Sequence, residues 1–377
     1  MAEISSCKPV CQVAAGSCSG SATIERVDLK NLSPQELNDF VQRRGWEPYR
    51  AQQIMTWLYK KGVSSIDSMT DLSKRLRDEL NRVAFVSRLV PERILVSTDG
   101  SRKYLFPLEK DCGVESVLMP VRDHYTVCVS TQLGCALKCR FCCTGTIGLK
   151  RNLSTAEIVN QIDAVLSDLD DRRRLVNIVF MGMGEPLANY QAVVKALAII
   201  FHTYGYDFSH RRVTLSTAGL IPQLQQLGRD FPVNLAVSLN AADSETRSYL
   251  MPINRTYSLP ALLAVLKDYP LTHRKRITME YLLIDGINDS LEDARKLVKL
   301  LRPLKCKINL IPFNEHAGSE FTRPSQERID AFRKILVDSS YTAIVRESKG
   351  RDIMAACGQL AGGRAVDSRQ RRDFGSC

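Results

Sequence analysis

From residue 125 onward the sequence repeats one pattern: a short apolar run, a loop, then an amphipathic run of helix length. Candidate strands fall at 126–130, 176–181, 212–216, 234–239, 278–284, 307–311 and 342–345, and candidate helices at 155–169, 190–204, 221–228, 244–250, 259–267, 291–301 and 326–337. Strands that alternate with helices form a parallel sheet with right-handed crossovers. Six or seven such units predict a full or partial α/β barrel. In such sheets, sites gather at the C-terminal ends of the strands.

The residues before 125 read differently. Residues 1–24, rich in Ser, Ala, Gly and Cys, show no periodicity and are expected to form a mobile tail. Between 25 and 88 the pattern is that of a small helical accessory domain. Ser33-Pro34 supplies an N-cap with proline at the first helical position, and Leu37, Phe40 and Val41 recur at helical spacing. Further helices are expected from Tyr49 to Tyr59 and from Leu72 to Leu80. Arg43, Arg44, Arg50, Lys60, Lys61, Lys74, Arg75, Arg77 and Arg82 decorate them, with Trp46, Tyr49, Trp57 and Tyr59 among the charges. Basic residues interleaved with aromatics suit RNA, although each aromatic taken singly also fits a core. Residues 89–124 alternate around Gly100 and predict a short β-hairpin connector to a catalytic domain at 125–363. The polar stretch 364–377 is expected to be disordered.

The net charge of +11 points to a polyanionic partner. No run reaches the roughly 18–20 apolar residues of a membrane span, and no secretion signal is visible, so a soluble cytoplasmic protein with no membrane partner is expected. In that compartment its 12 cysteines are not a disulfide framework.

Five of those cysteines, Cys128, Cys135, Cys139, Cys142 and Cys143, crowd together. Cys135, Cys139 and Cys142 follow a Cys-x3-Cys-x2-Cys spacing between a strand and a helix. Three thiolates on a four-iron cluster leave one iron without a protein ligand, and an open position makes a metal centre catalytic. S-adenosylmethionine (SAM) can chelate that iron, so the loop reads as the [4Fe-4S] site of a radical-SAM enzyme. A structural zinc site completed by Cys143 or Cys128 is an alternative, as is a redox pair at Cys139 and Cys142. After the next strand comes Gly182-Met183-Gly184-Glu185-Pro186, whose glycines admit a ligand close to the backbone and whose Glu185 can accept from the SAM ammonium.

These motifs, with Thr126–Ser130, Arg212–Thr217, Ile308–Asn314 and Ala356-Cys357-Gly358-Gln359-Leu360-Ala361-Gly362, closely resemble the RlmN/Cfr family of radical-SAM RNA adenine methyltransferases. The resemblance runs from about residue 26 to 363. It implies a radical-SAM partial (β/α) barrel acting on adenine C2 of 23S rRNA and tRNA, with a flavodoxin-type electron donor; a monomer is the default expectation. Cys357 would carry a methyl group from one SAM, and a second SAM would start the radical chemistry. Glu115 would accept the C2 proton, and Cys128 would release the product by forming a disulfide with Cys357. SAM contacts are implied for Gly184, Glu185, Ser216, Ser238, Leu239, Asn240 and Asn314. Asn240 stands where many relatives have His, and Cys143 where they have a small residue other than Cys. The C8-specific Cfr branch, and a zinc-stabilised RNA-binding protein, are the competing readings.

Overall fold

The computed structural model describes residues 26–110, 112–272 and 275–361. The tails expected at 1–24 and 364–377, with Cys7, Cys11, Cys18 and Cys377, lie outside the described residues.

The N-terminal segment pairs a short strand β1 (Val27–Asp28) with β2 (Ala84–Phe85) and holds three helices between them. Helix α1 (Pro34–Gln42) begins with a full capping box, in which Ser33 and Glu36 each satisfy the other's backbone N–H. Helix α2 (Tyr49–Met55) runs on as a π-turn at Thr56–Lys60, so the second helix expected there is continuous in space and changes winding at Thr56. Helix α3 is Lys74–Val83. This unit shares its core with the catalytic part. Lys30 lies buried under it, with Nζ 2.7 Å from both Asn160 Oδ1 and Asp163 Oδ2. The aromatics divide. Tyr59 is core and packs on Tyr206, Trp46 lies against Phe40, and Trp57 donates to Asp71, which leaves Tyr49 as the exposed ring.

The hairpin expected at 89–124 is more than a connector. Strands β3 (Arg93–Val96), β4 (Arg102–Glu109), β5 (Cys112–Val121) and β6 (His124–Cys128) form an antiparallel meander that continues the main sheet. Strand β5 is buried on both faces, which erases the alternation that marks a half-buried strand. The short pair β7 (Gln132–Leu133) and β8 (Arg151–Asn152) brackets the cysteine loop and helix α4 (Cys143–Ile147).

The expected βα units follow. They are α5 (Thr155–Ser167), β9 (Leu175–Phe180), α6 (Tyr190–Phe201), β10 (Val213–Thr217), α7 (Ile221–Asp230), β11 (Asn234–Ser238), α8 (Ser244–Leu250), α9 (Leu259–Lys267), β12 (Ile277–Leu283), α10 (Leu291–Leu301), β13 (Cys306–Pro312), α11 (Gln326–Asp338) and β14 (Ala343–Val345). Strands β6, β9, β10, β11, β12, β13 and β14 lie side by side and parallel, in chain order. This is the partial (β/α) barrel, extended at one edge to a ten-stranded mixed sheet. Serine caps start α5, α10 and α11, the first two as capping boxes. Among the described residues, no helix is long and apolar enough to cross a membrane.

Candidate active site

The site lies at the C-terminal ends of the parallel strands. The chain leaves β6 at Cys128 and enters the cysteine loop through Gly134. That glycine has φ +80°, and a Cβ on it would sit 1.8 Å from the carbonyl oxygen of Gly148, so only glycine closes the base of the loop. The loop is anchored by Arg140 N–H on Leu250 O (3.0 Å), at the end of α8. Cys139 and Phe141 pack against a second apolar cluster of Leu250, Met251, Leu282, Ile284, Phe313 and Phe321.

Cys135, Cys139 and Cys142 are within electrostatic reach of one another. Burial, then the neighbouring thiol Cys142, pushes Cys135 up to about 12, and the same causes with Cys135 raise Cys139. Two buried thiols with raised proton affinities beside a third suit ligands whose charge is completed by metal, because metal displaces the protons. Among the described residues no three His, Cys, Asp or Glu side chains converge on a single ion's position. Thiols that each hold a different iron of a cluster need no such convergence. Cys143 instead starts α4, with its N–H on Gly358 O at 2.7 Å and its thiol pushed up by burial to about 12.

Past β9, Gly184 has φ +96°, and an added Cβ would come within 2.5 Å of the Gln132 side chain. This close fit turns Glu185 inward. Its carboxylate accepts from Leu187 N (3.0 Å) and Ala218 N (2.8 Å), and its own N–H donates to Gln132 Oε1 (2.9 Å). Burial raises its proton affinity against those bonds. Ser216 and Ser238 stand half-buried near the ends of β10 and β11, with Leu239 buried beyond them. Asn240 takes a left-handed φ of +58°. Its side chain accepts from Leu282 N (2.9 Å) and donates to Met251 S (3.3 Å), so it ties β11 to β12, and its carbonyl accepts from Asn288 Nδ2 (2.8 Å). Asn314, after β13, is buried; its amide donates to Cys357 O (3.1 Å) and its Oδ1 has no hydrogen-bond partner. An orphaned buried oxygen at this mouth is costly without a ligand and fits a donor group on one. The thiol loop, the inward carboxylate and this orphan fit a cluster with SAM beside it.

Cys357 sits on a strap, residues 350–361, pinned from both sides. From the antiparallel meander, Asp99 accepts from Gly350 N (2.9 Å), Ser97 donates to Asp352 (2.6 Å), and Lys103 Nζ donates to Met354 O (3.0 Å). Glu115 Oε2 accepts from Ala361 N (2.8 Å) while Oε1 pairs with Lys103 Nζ at 3.1 Å. From α4, Thr144 Oγ1 donates to Leu360 O (2.7 Å). Glu115 is therefore in the middle of β5 and almost fully buried. Cys357 keeps its surface accessible within this mouth. Its crowded surroundings, then Glu280, push its thiol up to about 11, with Cys142 adding to the shift. Cys128, buried at the end of β6, is pushed higher still by burial and by Cys357. The two thiols are thus within electrostatic reach of each other, and Cys357 is within reach of Cys142 in the cysteine loop.

Sequence reading missed four residues here. Lys103 and Gln132 carry no motif. Glu280, buried in β12 and bonded to Asn309 Nδ2 (3.0 Å), is pushed by burial up to about 7. Arg247 lies fully buried in α8 behind the strand ends.

A parallel barrel with a three-thiol loop after its first strand and a Gly-Glu loop after its second defines a radical-SAM enzyme. Residues 129–300 match the radical SAM superfamily, and residues 27–86 match the ribosomal RNA large subunit methyltransferase N-terminal domain. The chain is 54% identical over 336 residues to the dual-specificity RNA methyltransferase RlmN of Geobacter sulfurreducens, covering 89% of this chain and 92% of that protein. It is 52% identical over 339 residues to RlmN of Geotalea uraniireducens, covering 90% and 98%. The crystal structure of a radical SAM methyltransferase from Sphaerobacter thermophilus superposes with a TM-score of 0.83 at 43% identity, over 89% of this chain and 99% of that one. The chain belongs to the RlmN family of radical-SAM RNA methyltransferases.

Proposed function

We propose that the protein methylates carbon 2 of a specific adenine in 23S rRNA and in a set of tRNAs, using two SAM molecules per turnover and S-methylcysteine at Cys357. What supports this most is the strap that holds Cys357 against Asn314 and against the helix that follows the Cys135–Cys139–Cys142 loop, within electrostatic reach of Cys128. A [4Fe-4S] cluster with SAM would supply a radical able to take hydrogen from a methyl group, chemistry the side chains cannot provide. Cys135, Cys139 and Cys142 would hold the cluster, and Gly184, Glu185, Ser216, Ser238, Leu239, Asn240 and Asn314 would hold SAM.

Adenine C2 is electron-poor and has no lone pair, so direct displacement on a methyl cation donor fails there. Cys357 solves this by accepting the methyl group on sulfur, a good nucleophile once deprotonated, and presenting the carbon to the base. Glu115, fixed against the strap by Ala361, accepts the proton that leaves C2. The Cys128 thiolate then attacks the Cys357 sulfur: the S–S bond forms, the S–CH2 bond breaks with its electron pair going to the carbon on the base, and that carbon takes up a proton to become the methyl group. The enzyme works in the cytoplasm as a monomer and receives electrons from a flavodoxin-type donor.

The test is anaerobic turnover of reconstituted protein with SAM, reductant and unmodified 23S rRNA or tRNA, followed by nucleoside mass spectrometry. Expected are 2-methyladenosine from the native protein, none from Cys357→Ala, and an RNA–protein adduct from Cys128→Ala. Appearance of 8-methyladenosine would move the enzyme to the C8 branch. Turnover by Cys357→Ala would overturn the route through the thioether.

A further inference from the structure

Arg247 is the largest side chain that is completely buried among the described residues. It lies on α8 and points back beneath the strand ends. Nε donates to Leu239 O (3.2 Å), Nη1 to Asn254 Oδ1 (2.9 Å), and Nη2 to Ala218 O (2.8 Å) and Ser238 O (3.3 Å). Every one of these acceptors is neutral. The hydrogen bonds are therefore satisfied while the charge is not balanced, and burial pulls the guanidinium down to about 10.

A buried cation without a counter-charge is costly, and proteins keep one where an anion completes it. Cys139 of the thiol loop packs against the apolar cluster of Ala218, Leu250 and Met251, and Arg247 bonds Ala218 O from the same helix that carries Leu250. The loop and the helix are also joined directly, since the residue after Cys139 hydrogen-bonds the last carbonyl of α8. A three-thiolate iron–sulfur cluster carries net negative charge and gains one more on reduction. The same guanidinium grips the backbone on both sides of the SAM place: Ala218, whose N–H bonds Glu185, and the Ser238–Leu239 pair.

We propose that Arg247 is the counter-charge of the iron–sulfur cluster, favouring its reduced state, and the positioning residue that locks the ends of β10 and β11 against SAM. The inference rests on Cys135, Cys139 and Cys142 being the cluster ligands. It assigns Arg247 no contact with RNA or with the reacting atoms. Cluster potentials respond to net charge and burial, so a missing positive charge makes reduction harder.

The experiment uses the full chain, reconstituted without oxygen with iron and sulfide, as wild type, R247K and R247Q. Iron and sulfide content, the midpoint potential from a titration followed by electron paramagnetic resonance, and SAM binding are measured. R247Q is expected to load its cluster but show at least about a tenfold lower reduced-to-oxidised ratio at a given potential, about 59 mV for one electron. R247K keeps the charge and loses the planar fork. Its midpoint is expected to stay within about threefold of wild type in that ratio, while its SAM binding weakens. An unchanged midpoint in R247Q, or a shift in R247K as large as that in R247Q, overturns the proposal. Should R247Q not yield folded protein, R247M, which keeps the stem and removes the charge, takes its place: a tenfold lower reduced-to-oxidised ratio upholds the counter-charge and an unchanged midpoint rejects it. Failure of the wild type to bind a cluster would instead remove the cluster reading itself.

Discussion

Lys103 and Glu115 form an ion pair whose side chains are 4% and 3% exposed, between the antiparallel meander and the strap that bears Cys357. Replacing Lys103 by Met keeps the length of the stem and removes the charge. Glu115 then loses its partner at Oε1 and keeps the Ala361 N–H at Oε2, and Met354 O loses its donor. Breaking a buried pair in this way costs about 3–5 kcal/mol. Lys103→Met should therefore be severely destabilised at neutral pH, and denaturant unfolding of cluster-free protein under reducing conditions reads this directly. The double variant Lys103→Met/Glu115→Leu should recover most of the loss, yet stay about 1–3 kcal/mol below wild type because the Ala361 N–H is orphaned. A single variant within about 0.5 kcal/mol of wild type would refute the view that this pair is sealed from water and holds the strap.

Three further outcomes follow from the same geometry. Gly184→Ala places a Cβ within 2.5 Å of Gln132 at a φ unfavourable to alanine, so it should lower SAM affinity at least about tenfold, measured by equilibrium binding, through displacement of Glu185. Glu280, whose proton affinity burial raises to about 7, is a folded acid above its unfolded value; its contribution to stability is present at acid pH and lost as pH rises through 7. Glu280→Gln should flatten the fall in unfolding midpoint between pH 5 and 8, and a fall of undiminished slope would assign it to another group. Lys61, whose ammonium stands 3.3 Å from the centre of the Trp57 ring, should give weaker RNA binding as Lys61→Glu and a salt slope smaller by about one ion, checked by filter binding at several salt concentrations. Lys60 is a poorer choice, because it pairs with Asp207 on the catalytic part.

The sequence showed those parts of the molecule in which local pattern and tertiary role coincide. Helices α8, α9 and α10 start and stop at the expected residues because a cap precedes each apolar stripe. The cysteine loop and the Gly-Glu loop are contiguous in sequence, so their spacing alone carried the chemistry. Glu115 and Arg247 were hidden for the opposite reason. Strand β5 is covered on both faces, and its Glu115-Ser116 step carries no alternation to show that the carboxylate is inside. The run Ser244-Glu245-Thr246-Arg247-Ser248 reads as the solvated face of a short helix, and nothing local shows that strand-end carbonyls wait behind it. Both residues are charged groups placed by contacts across long stretches of chain, Glu115 to Ala361 and Arg247 to Ala218. The same holds for the meander, which looked like a link between two domains. By gripping Gly350, Asp352, Met354 and Ala361, it holds the strap at the mouth, and with it Cys357, which the sequence leaves near the far end of the chain. The accessory strands thus bear on the chemistry as directly as the barrel: one edge of the sheet holds the acceptor cysteine, and the parallel strand ends hold the place of SAM.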